Sequence, residues 1–169
     1  MWVETTDDRL VVGVTLPVAV ERTWGALTAP GSITRWWGSQ VRLDAREGGS
    51  LLERWDDGDG PATTMRGRVI CCQPPRRLVI EWADAGWPGD TTVEFRLEKD
   101  GDRTWLRLEH RGWAGLPAKL RAASIAQRAA DWRQHLGALG VLLGLEGDIA
   151  GDDPDGNGQS AAASAPPPV

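Results

Sequence analysis

Between Gln40 and His110 apolar and polar residues alternate in a series of short runs, and from Pro117 to about Leu145 the spacing of apolar residues lengthens to three and four. Alternation with a period of two builds strands that bury one face, whereas spacings of three and four place apolar residues on one stripe of a helix. The runs predict strands at Gln40 to Asp44, Ser50 to Trp55, Met65 to Cys72, Arg77 to Trp82, Thr91 to Glu98 and Thr104 to His110. Gly48-Gly49, Asp57-Gly58-Asp59-Gly60, Pro74-Pro75, Trp87-Pro88-Gly89-Asp90 and Asp100-Gly101-Asp102 supply turns between nearly all of them. Connectors this short join neighbouring antiparallel strands, so the sheet is a meander. In the helix, Ile125, Ala129, Trp132, Leu136, Leu139 and Leu143 share one stripe. That stripe needs a sheet to cover it, which makes the chain an α+β protein with one long C-terminal helix on a curved antiparallel sheet.

The first forty residues complete the plan. Leu10 to Leu16 is a β-branched run ending at Pro17 and reads as the first strand, which brings the sheet to seven strands. Val20, Trp24 and Leu27 mark one face of a short helix over Val18 to Leu27, with Pro30-Gly31 as its stop. A second short helix is predicted from Ser32 to Trp37, ended by Gly38. From Gly147 onward Gly, Asp, Ser, Ala and Pro dominate, with too few large apolar groups to offset the entropy of ordering. The expected organisation is therefore one domain over residues 1–146 and a disordered acidic, Ala/Pro-rich tail over 147–169. Asp153, Asp155, Asn157 and Gly158 open like a calcium loop, but Ser164 stands where the bidentate Glu belongs, so a solvated linker is the expectation.

Charge narrows the partners. The chain holds 19 basic and 24 acidic residues, and residues 146–169 hold Glu146, Asp148, Asp152, Asp153 and Asp155 with no Lys or Arg. The body is balanced, and nothing draws it toward nucleic acid or an anionic membrane. No apolar run approaches the roughly 20 residues a transmembrane helix needs. Met1 to Arg9 has no basic segment followed by an apolar stretch, so cytoplasmic residence is expected. Cys71 and Cys72 are neighbours that leave opposite faces of a strand, which reads as packing rather than a disulfide or metal knuckle. No metal and no cofactor is expected.

The order of strand, two short helices, six strands and long helix, together with local motifs, resembles the START-like (SRPBCC) superfamily and its helix-grip, Bet v1-like fold. More narrowly it resembles the family named after the activator of Hsp90 ATPase. The resemblance rests on P-V-A-V-E-R-T-W-G-A-L at Pro17 to Leu27, I-T-R-W-W-G at Ile33 to Gly38 and D-A-R-E-G-G-S-L at Asp44 to Leu51. It continues through Gly67-x-Val69, Pro75-x-Arg77-Leu78 ending at Trp82, Thr92 to Leu97, Thr104 to Gly112 and Trp132 to Leu139. It spans about residues 10 to 143 and does not extend to the additional N-terminal domain with which the Hsp90 co-chaperone grips its partner, so Hsp90 activation is not expected. Where family members often carry Gly-Trp before the last helix turns, this chain has Asp131-Trp132, an extra carboxylate beside the grip.

A sheet wrapped round the helix turns alternate residues inward. The inward sets become Leu51, Glu53, Trp55; Met65, Gly67, Val69, Cys71; Leu78, Ile80, Trp82; Val93, Phe95, Leu97; and Leu106, Leu108, His110. Glu53 and His110 are the polar exceptions and need partners, water or a ligand. A satisfied hydrogen bond inside the core accounts for both; alternatively they orient a polar group of a ligand whose apolar part lies on Trp55, Trp82, Phe95 and Trp132. The chain has ten Trp, one Phe and no Tyr, and Trp suits cavity walls as well as cores. Trp36 and Trp37 point about 100° apart, so one is expected in the core and the other at the surface or the cavity mouth near Arg35. His135 reads as a boundary residue, and Trp87 and Trp113 as caps of the core or of an opening. The candidate ligand-binding set is completed by Leu51, Cys71, Ile80, Leu108 and Leu136.

Three functions fit. The leading one is non-catalytic binding of a small hydrophobic or aromatic molecule between sheet and helix. The second, implied by the resemblance, is a polyketide cyclase or dehydratase-like enzyme of the same cavity, with His110 and Glu53 as acid and base. The third is a chaperone-linked or pathway protein-interaction module.

Overall fold

The computed structural model describes residues 1–55, 63–83 and 89–145, excepting the side chains of Trp55 and Thr63. The tail, its calcium-like segment and Trp87 lie outside the described residues. An eight-stranded antiparallel sheet runs in the order β1-β2-β8-β7-β6-β5-β4-β3. Its strands are β1 (Trp2–Thr5), β2 (Arg9–Leu16), β3 (Val41–Leu43), β4 (Ser50–Trp55), β5 (Thr63–Gln73), β6 (Arg77–Ala83), β7 (Thr91–Asp100) and β8 (Arg103–Arg111). Helices α1 (Val20–Thr28) and α2 (Pro30–Trp36) carry the chain from β2 to β3 at the far edge, and α3 (Ala118–Leu142) packs against β2 and α2. This is the helix-grip plan, with one strand more than the sequence pattern predicts.

The additional strand is β1, which pairs with β2 through Trp2↔Gly13 to Thr5↔Leu10. Its four residues W-V-E-T include only one half-buried side chain, Val3, so no alternation marks it. Pairing instead depends on its neighbour: at Gly13 any Cβ would collide with the Trp2 ring, and glycine lets the indole lie flat on β2. A second difference concerns Pro30. Rather than stopping α1 within a loop, it opens α2 at the first helical positions, where its missing N–H costs nothing. The α2 helix accordingly begins two residues before the predicted start.

The inner face follows the predicted alternation on most strands. Leu51, Met65, Val69, Leu78, Ile80, Trp82, Val93, Phe95, Leu97, Leu106 and Leu108 are all buried in one core with Ile125, Trp132, Leu136 and Leu139 of α3. Cys71 is the exception. The register of β5 against β6 shifts between Val69 and Cys71, so Cys71 pairs with the outer-row residue Val79 and lies against Arg77, while Cys72 packs toward the core and donates to Ala45 O. A bulge adds one residue to the strand and reverses the alternation beyond it, which removes Cys71 from the inward set.

On the outer face Glu94 sits opposite Glu109 across β7 and β8. Two carboxylates in that relation repel, and arginines offset the repulsion: Glu94 accepts from Arg77 at 2.8 Å and Arg96 at 2.6 Å, and Glu109 from Arg111 at 3.2 Å. Burial pushes both carboxyls up, but the hydrogen bonds from Arg77 and Arg96, and from Arg107 and Arg111, outweigh it and hold both below the ordinary carboxylate range. At the end of β8, Gly112 takes a left-handed φ of 98° and turns the chain into a 3-10 turn at Trp113–Gly115.

Phe95 is wholly buried against the ring of Trp132, with centroids 5.7 Å apart and planes at 84°. Phe95→Ala is expected to lower stability by about 3–5 kcal/mol in urea unfolding, the usual cost of so large a cavity; a loss under 1 kcal/mol would place Phe95 in a space the core does not need filled.

Candidate functional site

A chain of hydrogen bonds ties α3 to the sheet. Trp132 donates its indole N–H to His110 Nδ1 at 3.2 Å, and His110 Nε2 lies 2.7 Å from Thr91 Oγ1. With Nδ1 accepting, the ring proton is on Nε2 and is donated to Thr91, whose hydroxyl in turn points to Trp82 O at 3.4 Å. Trp113 closes the other side, its ring 4.5 Å from the imidazole and its N–H donated to His110 O. Burial pushes the His110 pKa well below its ordinary value, and the positive charge of Arg128 adds to the shift. His110 is thus a neutral, fully bonded core histidine behind Trp132. It does not line the cavity.

The cavity of about 640 Å³ lies beside this anchor, between α3 and the inner face of the sheet. The sheet contributes Glu53 from β4 and Trp82 from β6, and Trp37 stands at the end of α2. Helix α3 contributes Ser124, Arg128, Asp131 and His135, spaced four, three and four apart as one face requires, flanked by Ala123, Gln127 and Trp132. Three of the wall residues form a nest of indoles. Trp37 and Trp82 stack with centroids 5.8 Å apart and planes only 6° apart, and Trp132 meets Trp37 at 65° and Trp82 at 63°. Both Trp37 and Trp82 are at least nine-tenths buried, yet neither indole N–H has a hydrogen-bond partner among the described residues. A buried donor left unpaired costs about 1–3 kcal/mol.

The polar side of the cavity is organised on α3. Asp131 accepts from Gln127 at 2.9 Å and from Arg128 at 3.4 Å, and the Arg128 guanidinium carbon stands 5.5 Å from the Trp82 ring centroid. His135 lies 6.1 Å from Trp37 and 5.8 Å from Trp132 between ring centroids. Burial pushes its pKa down, with Arg128 acting in the same direction and Asp131 against it.

Of the candidate residues, the structure brings together Trp37, Glu53, Trp82 and Trp132 on the cavity wall. Leu51, Ile80, Phe95, Leu108 and Leu136 fill the core behind it. Trp36 is also core, its N–H donated to Ala26 O at 3.0 Å, so both residues of the Trp pair are buried and neither is a surface residue; Arg35 is exposed. Cys71 faces outward for the reason given above. The backbone of Trp55 belongs to β4, and its side chain lies outside the described residues. On the helix wall the sequence analysis names Trp132 as a site residue but not Ser124, Arg128 or Asp131. The one signal for them was the polar spacing of Ser124, Arg128, Asp131 and His135 alongside the apolar stripe.

A family profile described as Activator of Hsp90 ATPase homolog 1-like protein matches residues 17–144. Among solved structures, the chain is similar to CalU16 from Micromonospora echinospora, with 30% identity over 81% of this chain and 76% of that one and a TM-score of 0.61. DynU16, of the dynemicin biosynthetic locus, shares 27% identity over 82% of this chain and 48% of its own length, with a TM-score of 0.66. Aha1 from Colwellia psychrerythraea, solved as a dimer, shares the fold at 18% identity over 81% of this chain and 96% of that one, with a TM-score of 0.64. A search of curated proteins finds no match.

The buried imidazole carries a pH prediction. Because the His110 pKa is depressed in the folded protein, the unfolded chain binds the extra proton first as pH falls below about 6.5, and stability rises with pH up to that point. Urea unfolding is expected to give constant stability from pH 8 to 7 and a decline between about 6.5 and 5. The decline is smaller in His110→Gln, which keeps a donor and an acceptor; an equal slope in both proteins would show that His110 titrates normally in the fold.

Proposed function

The chain belongs to the Activator of Hsp90 ATPase homolog 1-like family, and from that premise we propose that it is a non-catalytic receptor for a small, largely aromatic molecule held between α3 and the sheet. The observation that carries the proposal is the pair of buried indole N–H groups, Trp37 and Trp82, on the wall of a cavity large enough for a ligand. A flat molecule gains contact with the Trp nest, and a carbonyl or phenolic oxygen on it supplies the acceptor those donors lack. The receptor is the domain of residues 1–146, with 147–169 an appended tail. Two free thiols, Cys71 and Cys72, fit work in the reducing cytoplasm.

An enzyme in this cavity would have to use other groups than His110, both of whose ring nitrogens are engaged within the protein. His135 with Glu53 or Asp131 is the acid–base set that the cavity itself presents. Binding takes precedence because the Trp nest accounts for an aromatic guest without any reaction. It takes precedence over a protein-interaction module for the same reason.

Calorimetric titration with hydroxylated naphthalenes and anthraquinones is expected to show saturable one-to-one binding. Trp37→Phe and Trp82→Phe keep a ring in place and remove the N–H, and each is expected to weaken binding by about 1–3 kcal/mol. Absence of saturable heat with every probe would reject the receptor, and equal affinity in both variants would reject the role of the indole donors.

A further inference from the structure

We propose that the acidic segment from Glu146 to Asp155 docks on an arginine cluster presented by the outer face of β3, β4 and β5, and so covers that face from within the same chain. The inference is independent of the cavity and begins with strand register. Arg42 of β3 lies opposite Leu52 of β4, and Leu52 lies opposite Arg66 of β5. Arg54 follows Leu52 by two residues and Arg68 follows Arg66 by two, so both face the same way. Each arginine is therefore opposite, diagonal or next in row to Leu52, which puts its β carbon within about 8 Å of the leucine's. All four arginines are exposed, around a leucine that is half-buried.

Like charges this close repel, and little among the described residues offsets them. Arg42 donates to the backbone oxygens of Ser39 and Val41, which leaves its charge in place. Arg54, Arg66 and Arg68 form no ion pair among the described residues, whereas Arg77, Arg96, Arg107 and Arg111 on the other half of the face are each paired with Glu94 or Glu109. Glu81, opposite Arg68, is the one acidic residue among the described outward positions of β3 to β6.

The chain supplies the complement. Glu146, Asp148, Asp152, Asp153 and Asp155 fall within ten residues that contain no Lys or Arg. Asp152 to Asp155 stand seven to ten residues beyond Leu145, a reach of about 23–33 Å at about 3.3 Å per residue. A compact domain of this size has a radius of gyration of about 15 Å, so that reach suffices to pass from the end of α3 round to the outer face. Tethering holds the segment at a roughly millimolar effective concentration, at which several individually weak surface ion pairs are enough. Asp56, Asp57 and Asp59, which follow Arg54 in sequence, are the rival occupant.

Arginine modification by p-hydroxyphenylglyoxal, followed residue by residue by mass spectrometry on the full chain at about 50 mM salt, reads the occupancy of the face. Neutralising the segment with Glu146→Gln, Asp148→Asn, Asp152→Asn, Asp153→Asn and Asp155→Asn is expected to speed modification of Arg54, Arg66 and Arg68 about threefold. Raising the salt to about 500 mM has the same effect in the unaltered chain. Arg35 and Arg133, exposed on α2 and α3, keep their rates in both experiments. Unchanged rates at the cluster, or an equal rise at Arg35 and Arg133, overturn the proposal. So does a rise confined to the variant carrying Asp56→Asn, Asp57→Asn and Asp59→Asn, which makes the neighbouring acidic run the occupant. Protection that vanishes on dilution from about 100 to about 2 µM puts the segment on a second copy and overturns docking within one chain.

Discussion

Trp132 decides where the helix can sit. Its ring meets Trp37, Trp82 and Phe95 edge-on, and its N–H reaches through the aromatic layer to His110 on β8. Dispersion alone would let α3 slide along an apolar sheet, because apolar contacts have little directional preference. A hydrogen bond to an imidazole whose other nitrogen is fixed by Thr91 has one geometry, and it pins the helix at one register. With that register set, the polar face of α3 at Ser124, Arg128, Asp131 and His135 fronts the cavity, and the apolar stripe faces the core. The cavity and the core are two consequences of the same placement.

Much of the architecture was legible because strand and helix periods differ and because turns carry glycine and proline. The alternation in β6, β7 and β8 identified the inward rows residue by residue. What escaped was whatever depends on a neighbour. β1 has no apolar alternation of its own and forms because β2 offers a free edge and a glycine beneath Trp2. The reversal at Cys71 comes from one inserted residue, which a periodic reading passes over. Of the site, the sheet side could be foreseen from inward polar and aromatic positions, Glu53 and Trp82, which the structure places on the cavity wall. On the helix side only Trp132 could be, because Ser124, Arg128 and Asp131 are polar residues beside the apolar stripe and read as solvent-facing until α3 is docked. His110 itself illustrates the point: an inward histidine reads equally as ligand or as structural bond until both of its nitrogens are accounted for.

The outer face solves a different problem. Glu94 is buried beneath the guanidinium groups that surround it, and it stands directly across from Glu109. Single exposed ion pairs contribute little, but here one carboxylate collects arginines from three strands, Arg77 of β6, Arg96 of β7 and Arg111 of β8. Those strands are the ones whose inner faces carry Trp82, Phe95 and His110. These three strands are thus joined on both faces, by ion pairs outside and by the packed aromatic layer inside.

The sheet begins and ends on its shortest strands, β1 with four residues and β3 with three. A foreign strand laid along either border would gain only a few backbone bonds before running out of ladder, too few to offset the entropy of ordering it. Among the described residues the sheet is consequently guarded against growing sideways into fibrils or swapped strands.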